Sequence, residues 1–507
     1  MERRIRRLGI FMMLCFIALF IQLNNIQGLR ANSLATSSGN PRVVLADRSQ
    51  TRGMILSADG TVLAQSVLAP KRSYYKYQRV YPRATATLFS QIIGFAPSIY
   101  GNYRGIESEY NSYLTPHTPP AKTLRDLLVN RTEVDNVTLT VNENLQLQVA
   151  TALDEWAPGV NGAAAVVLNP TTGAIEAMYS NPSFDPNPLV SQNTKVQTFA
   201  WDAYNAEPYN QNPLVPGTYG QVYPPGSSFK VVTTSAVLEN RPDLAAMTYP
   251  QVTHVTLPDT GTPAQALTNY QSTQCGGTLE ELLIHSCDAD FATIGLKLGA
   301  PALTAQAEAY GFNQQVPLDV PADTVATSNF GTVASFALTG QAGIPGLMKS
   351  AIGQESVTAS ALQMAMVAGT VANGGTEMVP HLMEQIRDSQ GDLVKAYQPK
   401  AWMHPISSQT AATLTTFMKG VVTSGTADKV GFPASWDVAA KTGTAQTGSF
   451  GPDPLYTDDW LIAFAPAGNT KVAIAVVLPH EPGSATGATY SGPIVKQILG
   501  DVLADQS

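Results

Sequence analysis

The chain has few charged residues for its length. Only 13% of its 507 residues are Asp, Glu, Lys or Arg, and the formal net charge is −8. Nucleic-acid-binding proteins concentrate positive charge on one surface, so this balance argues against a nucleic-acid partner. With 40 Gly and 35 Pro, the composition indicates a compact, loop-rich protein and stays well short of that of a disordered chain. The length is sufficient for two or three domains with a large core.

Cysteine is also scarce, with three residues in the whole chain. Cys15 lies in an apolar run near the N-terminus. Cys275 and Cys287 could pair in an oxidising compartment. Because proximity in sequence does not establish the Cα spacing that a disulfide requires, the pairing stays open.

The six histidines form no pattern of metal ligands. No cluster of His, Cys and carboxylate residues has the spacing of a metal site, and His254, His285 and His404 are isolated in the sequence. We expect each to be a core or surface histidine, and we predict neither a metal nor a cofactor.

An apolar run from Leu8 to Leu23 follows the arginine-rich start Met-Glu-Arg-Arg-Ile-Arg-Arg. The run is slightly short for a membrane span, although Asn24 and Asn25 would lie close to the interface. The arginines place the N-terminus in the cytoplasm and the rest of the chain outside. No small-x-small cleavage site directly follows the run, which favours an uncleaved signal anchor over the alternative, a cleavable signal peptide.

Three short strings occur in order along the remainder of the chain. They are Ser227-Ser228-Phe229-Lys230, then Ser286-Cys287-Asp288, then Lys441-Thr442-Gly443-Thr444. By chance, Ser-x-x-Lys should occur about once or twice in a chain this long and Lys-Thr-Gly in about one chain in ten, so no single string is decisive. Their order is that of active-site serine enzymes that act on D-alanyl peptides or β-lactams.

The first string predicts a nucleophile and its base. Ser227 follows a Pro-Pro-Gly turn, and the apolar spacing after it predicts that the serine opens a helix. Residues three apart share a helix face, so the Lys230 ammonium would lie near the Ser227 hydroxyl and could remove its proton. Alternatively, Ser227 is an ordinary helix cap and Lys230 a solvated lysine.

The other two strings predict a proton relay and a substrate-binding strand. Ser286, between two helical runs, could pass a proton between Lys230 and a leaving amine, or could only cap the next helix. The segment around Lys441 reads as a strand of small residues, in which a glycine lets a ligand backbone approach. Its lysine and hydroxyls could bind a substrate carboxylate, although an exposed edge strand is the alternative.

On these strings the chain resembles the class B penicillin-binding proteins, the D,D-transpeptidases of bacterial wall synthesis. Its length and short N-terminal module are most similar to the actinobacterial penicillin-binding protein A type. Two further segments match the family: Gly162 to Gly173, and Gly353-Gln354 with the residues up to Gly375. The resemblance implies a mixed α/β (α+β) transpeptidase domain related to serine β-lactamases, with a five-stranded sheet flanked by helices. It also implies that the second-motif cysteine is commonly unbridged.

The resemblance assigns a role to each motif residue. Ser227 is the nucleophile, Lys230 the general base and Ser286 the proton relay, with Asp288 completing the second motif. The backbone N–H groups of Ser227 and Thr444 form the oxyanion hole. The substrate-binding residues are Lys441, Thr442, Gly443 and Thr444.

Asp288 is the main departure from the family pattern, which normally has Asn. An aspartate keeps the acceptor oxygen, loses the amide donors and brings a carboxylate towards Lys230, which would raise the pKa of that lysine. Milder departures are Glu355, where Gly is frequent, and Ser360-Ala361, where Thr-Pro is usual.

The pattern along the chain predicts five regions. They are a cytoplasmic tail (1–7), a transmembrane signal anchor (8–23), a linker (24–45), an N-terminal pedestal module (46–138) and the transpeptidase domain (139–507). A β-hairpin is expected around Ala58-Asp59-Gly60. Two early strands (163–168, 174–180) and three late ones, separated by a mainly helical insert, should share one sheet, with a helix at 494–505 against it. Loops at 453–459 and 483–492 should rim the cleft.

The expected function is peptidoglycan cross-linking through a Ser227 acyl-enzyme, inhibited by β-lactams. The expected partners are stem peptides, β-lactam antibiotics, the membrane and, by the resemblance, a membrane glycosyltransferase. One alternative is a D,D-carboxypeptidase or β-lactamase, in which water replaces the acceptor amine. The other is a non-catalytic penicillin-binding sensor or scaffold, which Asp288 keeps open because a perturbed charge can silence a base.

Overall fold

The computed structural model describes residues 2–29, 49–71, 73, 75–96, 105–118, 132–160, 162–207, 211–258, 260, 265–338, 340–447, 456–482 and 486–504. Most of the predicted linker at 24–45, together with 453–455 and 483–485 of the two predicted loops, lies outside the described residues.

The helices of the described residues are α1 Glu2–Asn24, α2 Ala86–Ile93, α3 Ile106–Glu109, α4 Asn111–Leu114, α5 Glu143–Trp156, α6 Thr194–Tyr204, α7 Lys230–Asn240, α8 Pro242–Ala245, α9 Leu279–His285, α10 Asp288–Ala309, α11 Val333–Phe336, α12 Ile344–Ser350, α13 Ala361–Ala372, α14 Ser408–Thr423 and α15 Ser491–Ala504.

The strands are β1 Ile55–Leu56, β2 Val62–Leu68, β3 Tyr77–Val80, β4 Asn136–Leu139, β5 Ala164–Leu168, β6 Ile175–Ser180, β7 Tyr249–Val252, β8 His254–Thr256, β9 Ala266–Thr268, β10 Cys275–Gly277, β11 Glu377–Met378, β12 Met383–Arg387, β13 Leu393–Ala396, β14 Ala401–Met403, β15 Ala439–Thr447, β16 Tyr456–Ala465 and β17 Val472–Pro482.

The central sheet has five antiparallel strands in the order β15-β16-β17-β5-β6. It joins the two early and three late strands that the sequence predicts. Both faces are buried, so side chains along each strand alternate between two apolar clusters. Along β16, Leu461 and Ala463 belong to one cluster with α5 and α15, and Trp460 and Ile462 to the other with α13. The predicted sheet and its C-terminal helix are confirmed.

The segment between β6 and β15 is more mixed than predicted. It contains α6 to α14, but also β7 to β14. Most of these strands form two-stranded pairs, β10 with β7, β8 with β9 and β11 with β14. Strands of two to five residues leave too short an alternation to be recognised in a sequence.

A second sheet has the strand order β13-β12-β4-β1-β2-β3. The predicted hairpin around Asp59 forms its β1 and β2, which pair antiparallel. Strand β12 pairs antiparallel with β4. Strands from near the N-terminus therefore share one sheet with the hairpin at 383–396, which lies far along the chain.

Helix α1 has the length and composition of a membrane span. Its window from Arg4 to Gln27 has a mean hydropathy of 1.9 and no burial within the protein. The apolar side chains from Leu8 to Leu23 are exposed. This helix is a candidate membrane anchor.

Candidate active site

Ser227 lies in a short 3-10 turn, Gly226–Phe229, that leads directly into α7. The prolines before it prevent a helix from starting earlier. Gly226 has φ +52°, a value that favours glycine. The predicted α-helix therefore begins at Lys230, one turn after the serine that was expected to open it. Phe229, Val232 and Ala236, whose spacing predicted the helix, are all fully buried.

Lys230 points from the first residue of α7 into a completely buried position. Its Nζ donates to the Ser286 carbonyl at 2.8 Å and to Ser286 Oγ at 3.2 Å. It also donates to Asp288 Oδ1 at 2.6 Å. Ser227 Oγ donates to the same Asp288 oxygen at 3.3 Å. Ser227 and Lys230, the nucleophile and base predicted from the first string, therefore both donate hydrogen bonds to the Asp288 carboxylate of the second string.

The second string joins α9 to α10, between the two helical runs that the sequence predicts, with Asp288 as the first residue of α10. Ser286 ends α9 in the left-handed conformation, φ +59°, and Cys287 precedes the first residue of α10. Cys287 forms a disulfide with Cys275 on β10, with a Cα–Cα distance of 5.5 Å. The sequence left this pairing open, and the unbridged state implied by the family resemblance does not hold here. The bridge anchors the Ser286–Asp288 segment to β10.

Lys441 extends from β15 towards Ser286. Its Nζ donates to Ser286 Oγ at 3.0 Å and to the Thr442 carbonyl at 3.0 Å. The Ser286 hydroxyl therefore lies between two lysine side chains, and its two lone pairs can accept from both. Lys441 is fully buried, so the alternative of a solvated edge lysine is wrong.

Burial is the largest influence on the pKa of both lysines. It holds the pKa of Lys230 below its ordinary value, although the Asp288 carboxylate acts in the opposite direction. It holds the pKa of Lys441 well below the ordinary value, and the nearby charge of Lys230 adds to this effect. Burial therefore favours the neutral amine of each lysine more than water does, and the neutral amine is the form that a general base needs.

The backbone of strand β15 packs directly against the backbone of the Ser227 turn. A Cβ added to Gly226 would lie 2.6 Å from the Thr444 carbonyl oxygen, and one added to Gly443 would lie 2.6 Å from the Pro225 carbonyl oxygen. The Trp460 indole donates to the Pro224 carbonyl at 2.8 Å and holds the turn against the sheet. These contacts bring the backbone at Ser227 close to that at Thr444.

The two threonines of the third string make different contacts. The Thr442 hydroxyl lies 2.6 Å from that of Thr426. The Thr444 hydroxyl accepts from the Gly487 backbone at 3.2 Å. Thr444 is half-buried, so its side chain remains reachable at the edge of the site.

Asp459 is a site neighbour that the sequence analysis missed. It is fully buried on β16, directly opposite Thr444. Burial raises its pKa to about 8, with the Thr444 hydroxyl acting in the opposite direction. Two adjacent aspartates in an apolar strand, Asp458 and Asp459, are the signal that could have revealed it. Residues 456–459, predicted as part of a loop, instead form the start of β16.

Two of the departures from the family pattern have a structural explanation. Glu355 has φ +61°, a conformation that glycine adopts without strain, which accounts for the usual Gly. Its carboxylate lies 3.2 Å from Lys349 Nζ. Ser360 caps α13 by accepting from the Gln363 backbone N–H at 3.1 Å, a role that serine and threonine share.

The family description "Penicillin binding protein transpeptidase domain" matches residues 163–500. The chain belongs to this family. A second description, "Penicillin binding protein A dimerisation domain", matches residues 52–136. The predicted resemblance to penicillin-binding proteins is confirmed, as is the mixed α/β fold.

Relatives match the chain over its whole length. The peptidoglycan D,D-transpeptidase PbpA of Mycolicibacterium smegmatis is 33% identical, with 100% of each chain covered. PbpA of Mycobacterium tuberculosis is 32% identical, with 98% of each covered. The solved structure of penicillin-binding protein A from M. tuberculosis as a penicillin G acyl-enzyme complex has a TM-score of 0.77 at 31% identity, with 90% of this chain and 100% of that chain covered.

Proposed function

We propose that the protein is a peptidoglycan D,D-transpeptidase that works through an acyl-enzyme on Ser227 and is inhibited by β-lactams. One observation carries the proposal. Side chains from all three strings, Ser227 and Lys230, Ser286 and Asp288, and Lys441, meet within one hydrogen-bonded network. The relatives named as D,D-transpeptidases and the β-lactam acyl-enzyme structures support it.

In the acylation step, Ser227 Oγ attacks the carbonyl carbon of the penultimate D-alanine of a stem peptide. Its proton passes to the neutral amine of Lys230. The N–H groups of Ser227 and Thr444 stabilise the oxyanion that forms. As the bond to the terminal D-alanine breaks, Ser286 delivers a proton to the departing amine.

In the second step, an amine from a neighbouring stem peptide attacks the acyl-enzyme ester. A peptide bond forms between the two strands, and the Ser227 oxygen recovers a proton. Lys441, Thr442 and Thr444 are assigned to the substrate carboxylate. Gly443, predicted to admit a ligand backbone, instead lets β15 pack against the Ser227 turn. A β-lactam follows only the first step and remains bound to Ser227.

The whole chain fits a membrane-bound enzyme of wall synthesis. Residues 8–23 anchor it, with 1–7 in the cytoplasm because of the arginines, and the remainder lies outside the cell membrane. Residues 46–138 form the pedestal and 139–507 the transpeptidase domain. The donor strands come from a membrane glycosyltransferase, a partner that family membership implies.

The test is intact-mass analysis of the full chain in detergent after incubation with penicillin G, beside Ser227→Ala. We expect one stable adduct on the wild type and none on the variant. No adduct on protein that melts cooperatively would favour the non-catalytic sensor instead.

A second assay separates cross-linking from hydrolysis. A stem peptide ending in D-alanyl-D-alanine is supplied with an acceptor amine, and the products are resolved by mass. Transpeptidation predicts the amide product. If only the peptide shortened by one D-alanine forms, the enzyme is a carboxypeptidase.

A further inference from the structure

A second cluster of ionisable side chains lies outside the three motifs, in the N-terminal part of the chain. His117 and Glu133 pair across an isolated antiparallel β-bridge, with both backbone hydrogen bonds at 3.0 Å. Asp135 follows two residues later, immediately before β4. One ligand atom from each of the three side chains lies within 4.8 Å of those of the other two.

The hydrogen bond at His117 fixes which ring nitrogen carries a proton. Nδ1 lies 3.0 Å from the Thr115 carbonyl oxygen, which can only accept, so Nδ1 must donate. In the neutral ring, the lone pair is therefore on Nε2. That atom faces Asp135 Oδ2 at 3.3 Å. A backbone carbonyl that orients a histidine in this way is the usual support of a metal-binding imidazole.

Asp135 has an unusual environment for a carboxylate. Its side chain is 1% exposed, and neither oxygen accepts a hydrogen bond within the described part of the chain. A buried charge without hydrogen bonds is costly unless a cation compensates it. The 3.3 Å between Asp135 Oδ2 and His117 Nε2 also allows both atoms to bind one ion. Two ligand atoms that each lie about 2.0–2.1 Å from a tetrahedral metal are about 3.3 Å apart.

The surroundings add negative charge. The carboxylates of Glu133 and Asp388 both lie close enough to Asp135 to interact with it electrostatically. Glu133 and Ser389 both line an adjacent cavity of about 430 Å³. Lys76 also lines this cavity, but its ammonium lies 5.1 Å over the Tyr77 ring. The cavity offers an entry route for an ion and for water.

We propose that His117, Glu133 and Asp135 bind one divalent transition-metal ion of the zinc type. One imidazole nitrogen with two carboxylates is a ligand set that zinc accepts, with water at the fourth position. Calcium and magnesium prefer oxygen ligands alone. The role of the ion is structural. It links the β-bridge between His117 and Glu133 to the start of β4. Strand β4 pairs with β12 and so lies beside the turn at Asp388 between β12 and β13.

The experiment uses the full chain in detergent, without affinity tag, stripped with a chelator and titrated calorimetrically with Zn²⁺. We expect one equivalent to bind and to raise the melting temperature. His117→Ala, Glu133→Gln and Asp135→Asn should each weaken binding by about tenfold or more. His254→Ala, which removes an exposed histidine elsewhere, should bind as the wild type does. Penicillin labelling of every variant verifies that it is folded.

A second readout reports on the nitrogen ligand. Co²⁺ added in place of Zn²⁺ should give visible absorption that His117→Ala loses or shifts. The proposal is wrong if the stripped protein binds no stoichiometric Zn²⁺, or if the three variants bind it as tightly as His254→Ala does. Tighter binding of Mg²⁺ than of Zn²⁺ would also overturn it.

Discussion

At the scale of single residues, Lys230 is subject to two opposing influences. Complete burial favours the neutral amine, and the Asp288 carboxylate at 2.6 Å favours the ammonium. Burial prevails, so the pKa of Lys230 remains below its ordinary value. The Asp288 carboxylate acts to raise the pKa of Lys230, as the Asn-to-Asp departure predicts, and burial outweighs it.

Replacing Asp288 by Asn should therefore preserve or increase acylation. The amide oxygen can still accept from Lys230, but the carboxylate charge that raises the lysine pKa is lost. We expect the rate of penicillin acylation at pH 7 to be unchanged or up to about tenfold higher, a factor worth about 1.4 kcal/mol. The acid limb of the pH–rate profile should move to lower pH, because the amine stays neutral further into acid.

The matched control for Asp288 is Asp290→Asn. Asp290 lies on the same helix and acts on the Lys230 pKa more weakly, so its profile should move less. A large loss of acylation in Asp288→Asn, with Asp290→Asn unaffected, would show that the carboxylate has a specific role in catalysis.

Asp459 makes stability depend on pH. Its pKa of about 8 in the folded protein exceeds the ordinary value of 3.8. Between those values the folded state binds more protons than the unfolded state, so the free energy of unfolding falls as pH rises, by at most about 1.4 kcal/mol per pH unit. Above about pH 8 this contribution levels off.

Asp459→Asn should flatten that decline. The amide has nearly the same shape but does not ionise, so the variant should gain stability relative to wild type as pH increases from 5 to 8. Denaturant unfolding at pH 5, 6.5 and 8 measures the difference. Equal slopes for the two proteins would mean that Asp459 is ionised in the folded state, contrary to this argument.

At the scale of elements, the site depends on how closely β15 approaches the Ser227 turn. Gly443 has the Pro225 carbonyl oxygen 2.6 Å and the Ser228 nitrogen 3.1 Å from the position of an added Cβ. Both neighbours are backbone atoms, which cannot rotate away. A side chain at this position must separate the strand from the turn.

Gly443→Ala should therefore lose both activity and stability. A displacement of about 1 Å between catalytic elements can cost about 10²-fold in rate. We expect a loss of that order in penicillin acylation, together with a lower melting temperature, because overpacking of this kind costs about 1–3 kcal/mol. Gly468→Ala, in the β16–β17 hairpin, is the control because the nearest atom to its added Cβ is 3.8 Å away. Normal acylation by Gly443→Ala would show that the two elements adjust without cost.

The same elements show what a sequence can and cannot reveal. Strands β5, β6, β16 and β17 are apolar runs between turn residues, and the sequence predicts all of them. The 3-10 geometry of the Ser227 turn and the Cys275–Cys287 bridge were not predictable, because both depend on distances between segments. The contact between Asp288 and Lys230 was foreseen only because the two strings belong to a known arrangement.

At the scale of the whole molecule, segments that are far apart in the sequence share structure. Strand β4 pairs with β12 across more than 240 positions, and the Tyr110 hydroxyl donates to Asp319 at 2.8 Å. Asp319 in turn accepts from the backbone of Leu382 and Met383. No local pattern predicts such pairings, and the His117–Glu133 cluster escaped the sequence analysis for the same reason. The N-terminal strands and the transpeptidase fold should therefore unfold together.

Glu107 offers the test of that cooperativity. This fully buried carboxylate contacts Arg52 Nε at 2.6 Å and Arg79 Nε at 2.7 Å, and the two guanidiniums hold its pKa below the ordinary value against the effect of burial. Glu107→Gln removes the negative charge that compensates the two buried guanidiniums, a change that costs about 3–5 kcal/mol. We expect one calorimetric transition at a lower temperature, with penicillin labelling lost over the same interval.

The control is Glu109→Gln, a change at an exposed residue of the same helix, and this variant should melt as the wild type does. Two transitions in Glu107→Gln, the upper one retaining labelling, would mean that the six-stranded sheet unfolds without the transpeptidase core.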